Sequence, residues 1–176
     1  MKALLFATAF LTSVSLADAP VGSIFPDMKA ESLKDKNVSL PADVKGKFTL
    51  ICLSWSEDAE PDLQTWYEPA YDKFIAKTGL MDDAFDVNLY FIPMFTGAKA
   101  SAADNAKKRM KTEVQADIQP HILIYKGEVD SYKDKLKMTD KKKPYIFLLN
   151  KEGKIVYATS GAFTDEKMDA IDELIE

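Results

Sequence analysis

The single thiol of the chain, Cys52, lies inside the apolar run Phe48-Thr49-Leu50-Ile51-Cys52-Leu53-Ser54, and the carboxylates Glu57, Asp58, Glu60 and Asp62 follow closely. The thiolate is the species that attacks disulfides and peroxides, so one cysteine alone cannot run a dithiol cycle. A continuous apolar run belongs to a sheet interior, where a thiol is packed and inert. The carboxylates complement the positive end of a helix beginning there, or form an acidic recognition patch. A calcium site would need several oxygens converging on one point, and the spacing lacks the central glycine of an EF-hand loop. His121 is the only histidine and follows Pro120, with no second His or further Cys to complete a zinc or copper set. Paired with Ser54 or Ser56 it would make a nucleophile and base on paper, but nothing like a nucleophile elbow surrounds either serine. No catalytic residue, metal ligand or cofactor site is assigned.

Those residues need elements to hold them. Phe48 to Trp55 is expected to form a buried strand, followed by a helix in which Leu63, Trp66, Tyr67, Ala70, Tyr71, Phe74 and Ile75 recur at helical spacing. Pro61 suits its first turn, Pro69 should kink its middle, and Gly79 should stop it. Trp55, Trp66, Tyr67 and Tyr71 form an aromatic group, mostly core, whose exposed members would mark a partner site. A second apolar strand spans Val87 to Phe95, and a polar helix runs from about Ser101 to Val114. A strand follows at His121–Tyr125, with a short helix near Val129–Leu136. Pro144–Asn150 and Lys154–Ala158 read as a hairpin through Lys151-Glu152-Gly153, and a last helix carries Met168, Ile171, Leu174 and Ile175 on one face. Before the first buried strand, Val21 to Leu40 reads as irregular, with one short strand at Val38-Ser39-Leu40.

With 176 residues, 47% of them apolar and 29% charged, the chain suits one globular domain. Met1-Lys2 and the apolar run Ala3–Leu16 read as a secretory signal peptide over residues 1–17, with cleavage after Ala19 as the alternative. The domain then covers 18–176, and the expected location is periplasmic or secreted. The mature chain is expected to lack a transmembrane segment, and no cysteine stands directly after the apolar run to carry a lipid. The formal net charge of −5 becomes −6 when Lys2 leaves with the leader, and 22 of the 23 cations are Lys, with Arg109 the exception. Nucleic acid is therefore an unsuitable partner.

From about Ile24 onward the chain resembles the thioredoxin-like superfamily, in its redoxin and TlpA-like branch. The resemblance rests on Gly46-Lys47-Phe48-Thr49-Leu50-Ile51, on Trp55 with the four residues after it, and on Pro144-Tyr145-Ile146-Phe147-Leu148-Leu149-Asn150-Lys151-Glu152-Gly153-Lys154-Ile155-Val156-Tyr157 leading to Gly161. It implies an α/β fold with a central mixed sheet flanked by helices and an extra strand and helix before a Pro-led hairpin. It also implies a cis Lys143-Pro144 bond beside Trp55–Ala59. Ser56 and Ala59 stand where that family keeps its cysteines, which removes the usual activity and leaves the fold. On its Trp-containing first helix and its ending, the chain is more loosely similar to mitochondrial ATP-synthase assembly factors with a thioredoxin-like domain.

The function so implied is an exported, redox-inactive binding or assembly module with a protein partner. Its expected contact surface is Trp55, Ser56, Glu57, Asp58, Ala59, Lys143 and Pro144, where the cations of Lys141-Lys142-Lys143 face the acidic turn and a carboxylate among Glu57, Asp58 and Glu60 meets Lys143. Two alternatives stand beside it. One is a redoxin-type thiol oxidoreductase or peroxidase using Cys52 or a partner's thiol; the other is a carrier of a small hydrophobic ligand in an apolar pocket beside Trp55.

Overall fold

A computed structural model describes residues 20–80 and 85–175; the leader assigned to residues 1–17, or 1–19, lies outside them. One seven-stranded mixed sheet organises the fold, with strands β1 (Met28–Ser32), β2 (Asn37–Leu40), β3 (Phe48–Ser54), β4 (Val87–Phe95), β5 (Leu123–Lys126), β6 (Tyr145–Leu149) and β7 (Ile155–Ser160) in the order β2-β1-β5-β4-β3-β6-β7. β3 runs parallel to β4 and antiparallel to β6, β4 runs parallel to β5, and the hairpins β1–β2 and β6–β7 close the two edges. The helices are α1 (Glu60–Tyr71), α2 (Ala103–Glu113), α3 (Asp130–Leu136) and α4 (Asp165–Ile175).

β3 is central because its apolar run can be covered on both faces. Alternation sends Ile51 and Leu53 to one core with Phe25, Tyr132, Leu136 and Phe147. Leu50 and Cys52 go to the other, with Leu63, Trp66 and Ala70 of α1 and Met168 and Ile171 of α4. Each such large side chain contributes on the order of 1.5–3 kcal/mol by leaving water.

The observed chain departs from the sequence reading in particular places. The stretch expected to be irregular contains β1, whose short alternation has buried Met28, Ala30 and Ser32 separated by Lys29 and Glu31. α1 holds Pro69 within it and continues as a π-helical turn over Asp72–Ala76. It stops at Lys77 (φ +53), before Gly79, and the Thr78 N–H caps the Asp72 carbonyl at 3.0 Å. Of the residues read on one face of α4, Met168 and Ile171 are buried, whereas Leu174 is 42% exposed. His121 closes a 3₁₀ turn, Gln119–His121, ahead of β5. The cis X-Pro bond among the described residues is Leu40–Pro41, not Lys143–Pro144. The Lys143 side instead enters β6 from a turn closed on Asp140, whose carboxylate accepts the Lys142 N–H at 2.9 Å and whose own N–H donates to the Tyr145 hydroxyl at 2.7 Å. Pro41 packs against the β6–β7 turn so closely that a Cβ on Gly153 (φ +81) would fall 2.7 Å from the Pro41 Cβ.

Candidate functional site

Trp55 carries the chain out of β3 and is half-buried, its ring tilted 31° against Tyr145 with centroids 5.4 Å apart. Leu53 pairs with Tyr145 across the sheet, so the stack pins the turn to the first residue of β6. Ser56 is extended (φ −143, ψ 146), and its hydroxyl accepts the Asp58 N–H at 3.3 Å, capping a 3₁₀ turn over Glu57–Ala59 that runs into α1. Ala59 is buried and Pro61 occupies the first turn of the helix, where a missing N–H has no cost.

The turn and the lysine loop do meet, through different residues from those expected. Asp58 lies 3.6 Å from Lys141, whereas Lys143 lies 3.6 Å from Asp140 within its own loop. Glu57 takes Lys99 at 2.9 Å, and Glu60 accepts the Tyr67 hydroxyl at 3.3 Å. The expected carboxylate partner of Lys143 is thus corrected: the Asp140 turn holds that cation locally and leaves Lys141 to reach across. Trp55, Ser56, Glu57, Asp58 and Ala59 are brought to one edge with the Lys141–Pro144 loop. The sequence reading missed Lys99, Asp140 and Tyr145 there. Tyr145, an aromatic residue directly after Pro144, was the one readable signal.

Beyond the turn, α1 is clamped to the strap between β7 and α4. The Trp66 indole N–H donates to the Gly161 carbonyl at 3.0 Å, and the Phe163 N–H donates to the Thr65 hydroxyl at 2.8 Å. Lys167 donates to the Ser160 and Ala162 carbonyls; burial lowers its pKa, against the pull of Asp62.

Cys52 is 0% exposed, and burial pushes its thiol far above the ordinary range. Its ladder partners are Ile146 and Phe91, so the sulfur lies in the α1 core. His121 has Nδ1 3.1 Å from the Leu89 carbonyl, and burial lowers its pKa. Leu89 pairs with Leu50, which sets the imidazole beside the middle of the sheet and away from Ser56 at the strand end. Among the described residues no group of three or more His, Cys, Asp or Glu side chains is placed to hold a metal. A cleft of about 400 Å³ does exist, lined by Tyr67, Tyr71, Phe91 and Ile118 on the outer flank of α1 and not by Trp55, where the carrier reading expects its pocket. No described helix is long and apolar enough to cross a membrane.

A family model described as ATP10 protein matches residues 8–175. A sequence search of curated proteins finds no match. Among solved structures the chain is similar to BsSco, a member of the Sco family of cytochrome c oxidase assembly proteins, with 13% identity and TM-score 0.59 over 89% of this chain and 94% of that one. It is similar to copper-bound Sco1 from yeast, with 22% identity and TM-score 0.56 over 87% and 92% of the two chains. It is also similar to the thioredoxin domain of a thiol-disulfide oxidoreductase from Bacteroides vulgatus, with 21% identity and TM-score 0.50 over 89% and 98%. At these identities the likeness is one of fold: the chain has a thioredoxin-like fold, with one cysteine.

Proposed function

The chain belongs to the ATP10 protein family, and from that premise we propose that it is an exported, redox-inactive assembly module that holds a protein client at the edge formed by Trp55–Ala59 and Lys141–Pro144. The resemblance to ATP-synthase assembly factors points the same way as the family, so the proposed client is a subunit of ATP synthase on its way to assembly. One observation carries the reading. Ser56 caps a helix and Ala59 is buried where the thioredoxin-like resemblance places a redox pair, while the single thiol is sealed in the sheet. What remains at that edge is a half-buried aromatic ring flanked by Asp58, Glu57, Lys141 and Lys143, a surface suited to recognition.

Deletion of the gene followed by native-gel analysis of membrane extracts tests this. Loss of assembled ATP synthase, restored by Cys52→Ala but not by the Glu57→Lys/Asp58→Lys double variant, is the expected result. Normal assembly in the deletion strain overturns the choice of client.

A further inference from the structure

The outer flank of α1 carries an open cleft. Its apolar lining comes from Tyr67, Tyr71, Phe91, Val114, Ile118 and Ile122. Phe91 and Ile122 are buried and form its floor, and the Tyr67 ring meets the Phe91 ring edge-on at 4.6 Å. The opposite wall is the segment after α2, which is tied down from inside. The buried Gln119 amide donates to the Lys111 and Val114 carbonyls at 3.0 and 2.9 Å, taking up groups the helix end leaves open. Across the mouth, the Tyr71 hydroxyl donates to Asp117 at 2.6 Å. A volume of about 400 Å³ is within the range of real ligand sites and takes one or two side chains.

The rim carries one sign of charge. Glu68, Asp72 and Glu113 line the cleft, and Asp117 stands at its mouth. Against these four carboxylates, Arg109 touches Glu113 alone at 3.7 Å, and Glu68 and Asp72 have no ion pair among the described residues. His121 is the other titratable group facing Asp117, and its burial keeps it neutral near pH 7. An apolar floor under an anionic rim selects an apolar side chain carrying positive charge beside it.

The geometry points to a second docking site on this flank of α1, for a partner-protein segment that inserts an aromatic or branched aliphatic side chain flanked by Lys or Arg. The site is separate from the Trp55–Ala59 edge and does not depend on the client proposed there.

The test uses the full chain, ¹⁵N-labelled, and two capped peptides, acetyl-Lys-Phe-Lys-amide and acetyl-Glu-Phe-Glu-amide. The cationic peptide is expected to shift the amides of Tyr71, Val114 and Ile118 saturably, and more weakly as salt is raised; the anionic one should leave them unmoved. Reversing two exposed rim charges, Glu68→Lys with Glu113→Lys, should weaken the cationic peptide about tenfold. Ile118→Trp, which fills the cleft, should abolish the shifts while the remaining amide spectrum stays folded. Equal binding of both peptides, or no shift at millimolar cationic peptide, overturns the proposal. So does concentration-dependent self-association removed by Ile118→Trp, which would make a second copy the occupant.

Discussion

Lys141 reaches from the loop before β6 to within 3.6 Å of the Asp58 carboxylate in the turn before α1. Both side chains are more than half exposed, so water screens the pair and its contribution to stability is small. Lys141→Ala should change unfolding free energy by no more than about 0.5 kcal/mol in urea titration. If this edge recognises the client, Asp58→Lys should reduce client capture, and Asp58→Lys with Lys141→Asp should recover part of it. Recovery distinguishes charge recognition from damage to the fold.

Cys52 should behave as a core methyl-sized group. A thiol reagent should label native protein only at the rate of unfolding, because the buried thiol stays protonated and out of reach. Cys52→Ala should cost about 1–2 kcal/mol through lost packing. Rapid labelling of folded protein would reopen the peroxidase reading.

The strap between β7 and α4 depends on Trp66. Trp66→Phe keeps a ring against Phe163, whose centroid lies 5.2 Å away, but leaves the buried Gly161 carbonyl without its indole donor. A loss of about 1–2 kcal/mol in denaturant midpoint experiments is expected, with secondary structure unchanged by circular dichroism.

Asp35, in the left-handed turn between β1 and β2, accepts from Lys107 at 2.8 Å and Lys111 at 2.6 Å on α2. Those bonds, Lys107 first, pull its pKa from an ordinary 3.8 to about 2. Between those values the unfolded chain binds the proton more readily than the folded one. The stabilising contribution is therefore complete above about pH 4 and disappears as pH falls toward 2. Asp35→Asn should flatten this part of the acid stability profile and leave the neutral region with a lower, pH-independent offset. An unchanged slope between pH 4 and 2 would show that the α2 clamp does not form in solution.

The sequence made the central strands legible because β3, β4 and β6 are long enough for burial to dominate composition. β1 escaped because five residues alternating with Lys29 and Glu31 carry little apolar signal until β2 and β5 flank them. The turn Trp55–Ala59 was legible as a site because its residues are contiguous. Its cationic partner was misassigned from Lys141 to Lys143, since the Asp140 turn that redirects the loop is a hydrogen-bond arrangement with no periodic signature. The cleft was legible only in its α1 wall, where Tyr67 and Tyr71 belong to the aromatic group read as marking a partner site; Phe91, Val114 and Ile118 come from separate elements and meet them only in the fold.

The central claim is that the Trp55–Ala59 edge binds a protein client without redox chemistry. The most direct test places a photo-crosslinking amino acid at Glu57 and, as control, at Lys135 on α3, each in both the wild-type and the Cys52→Ala background. The account predicts a discrete crosslinked client from position 57, an ATP synthase subunit by mass spectrometry, insensitive to reductant and absent from position 135. No adduct at 57, or one that forms only when Cys52 is present and collapses with reductant, would contradict it.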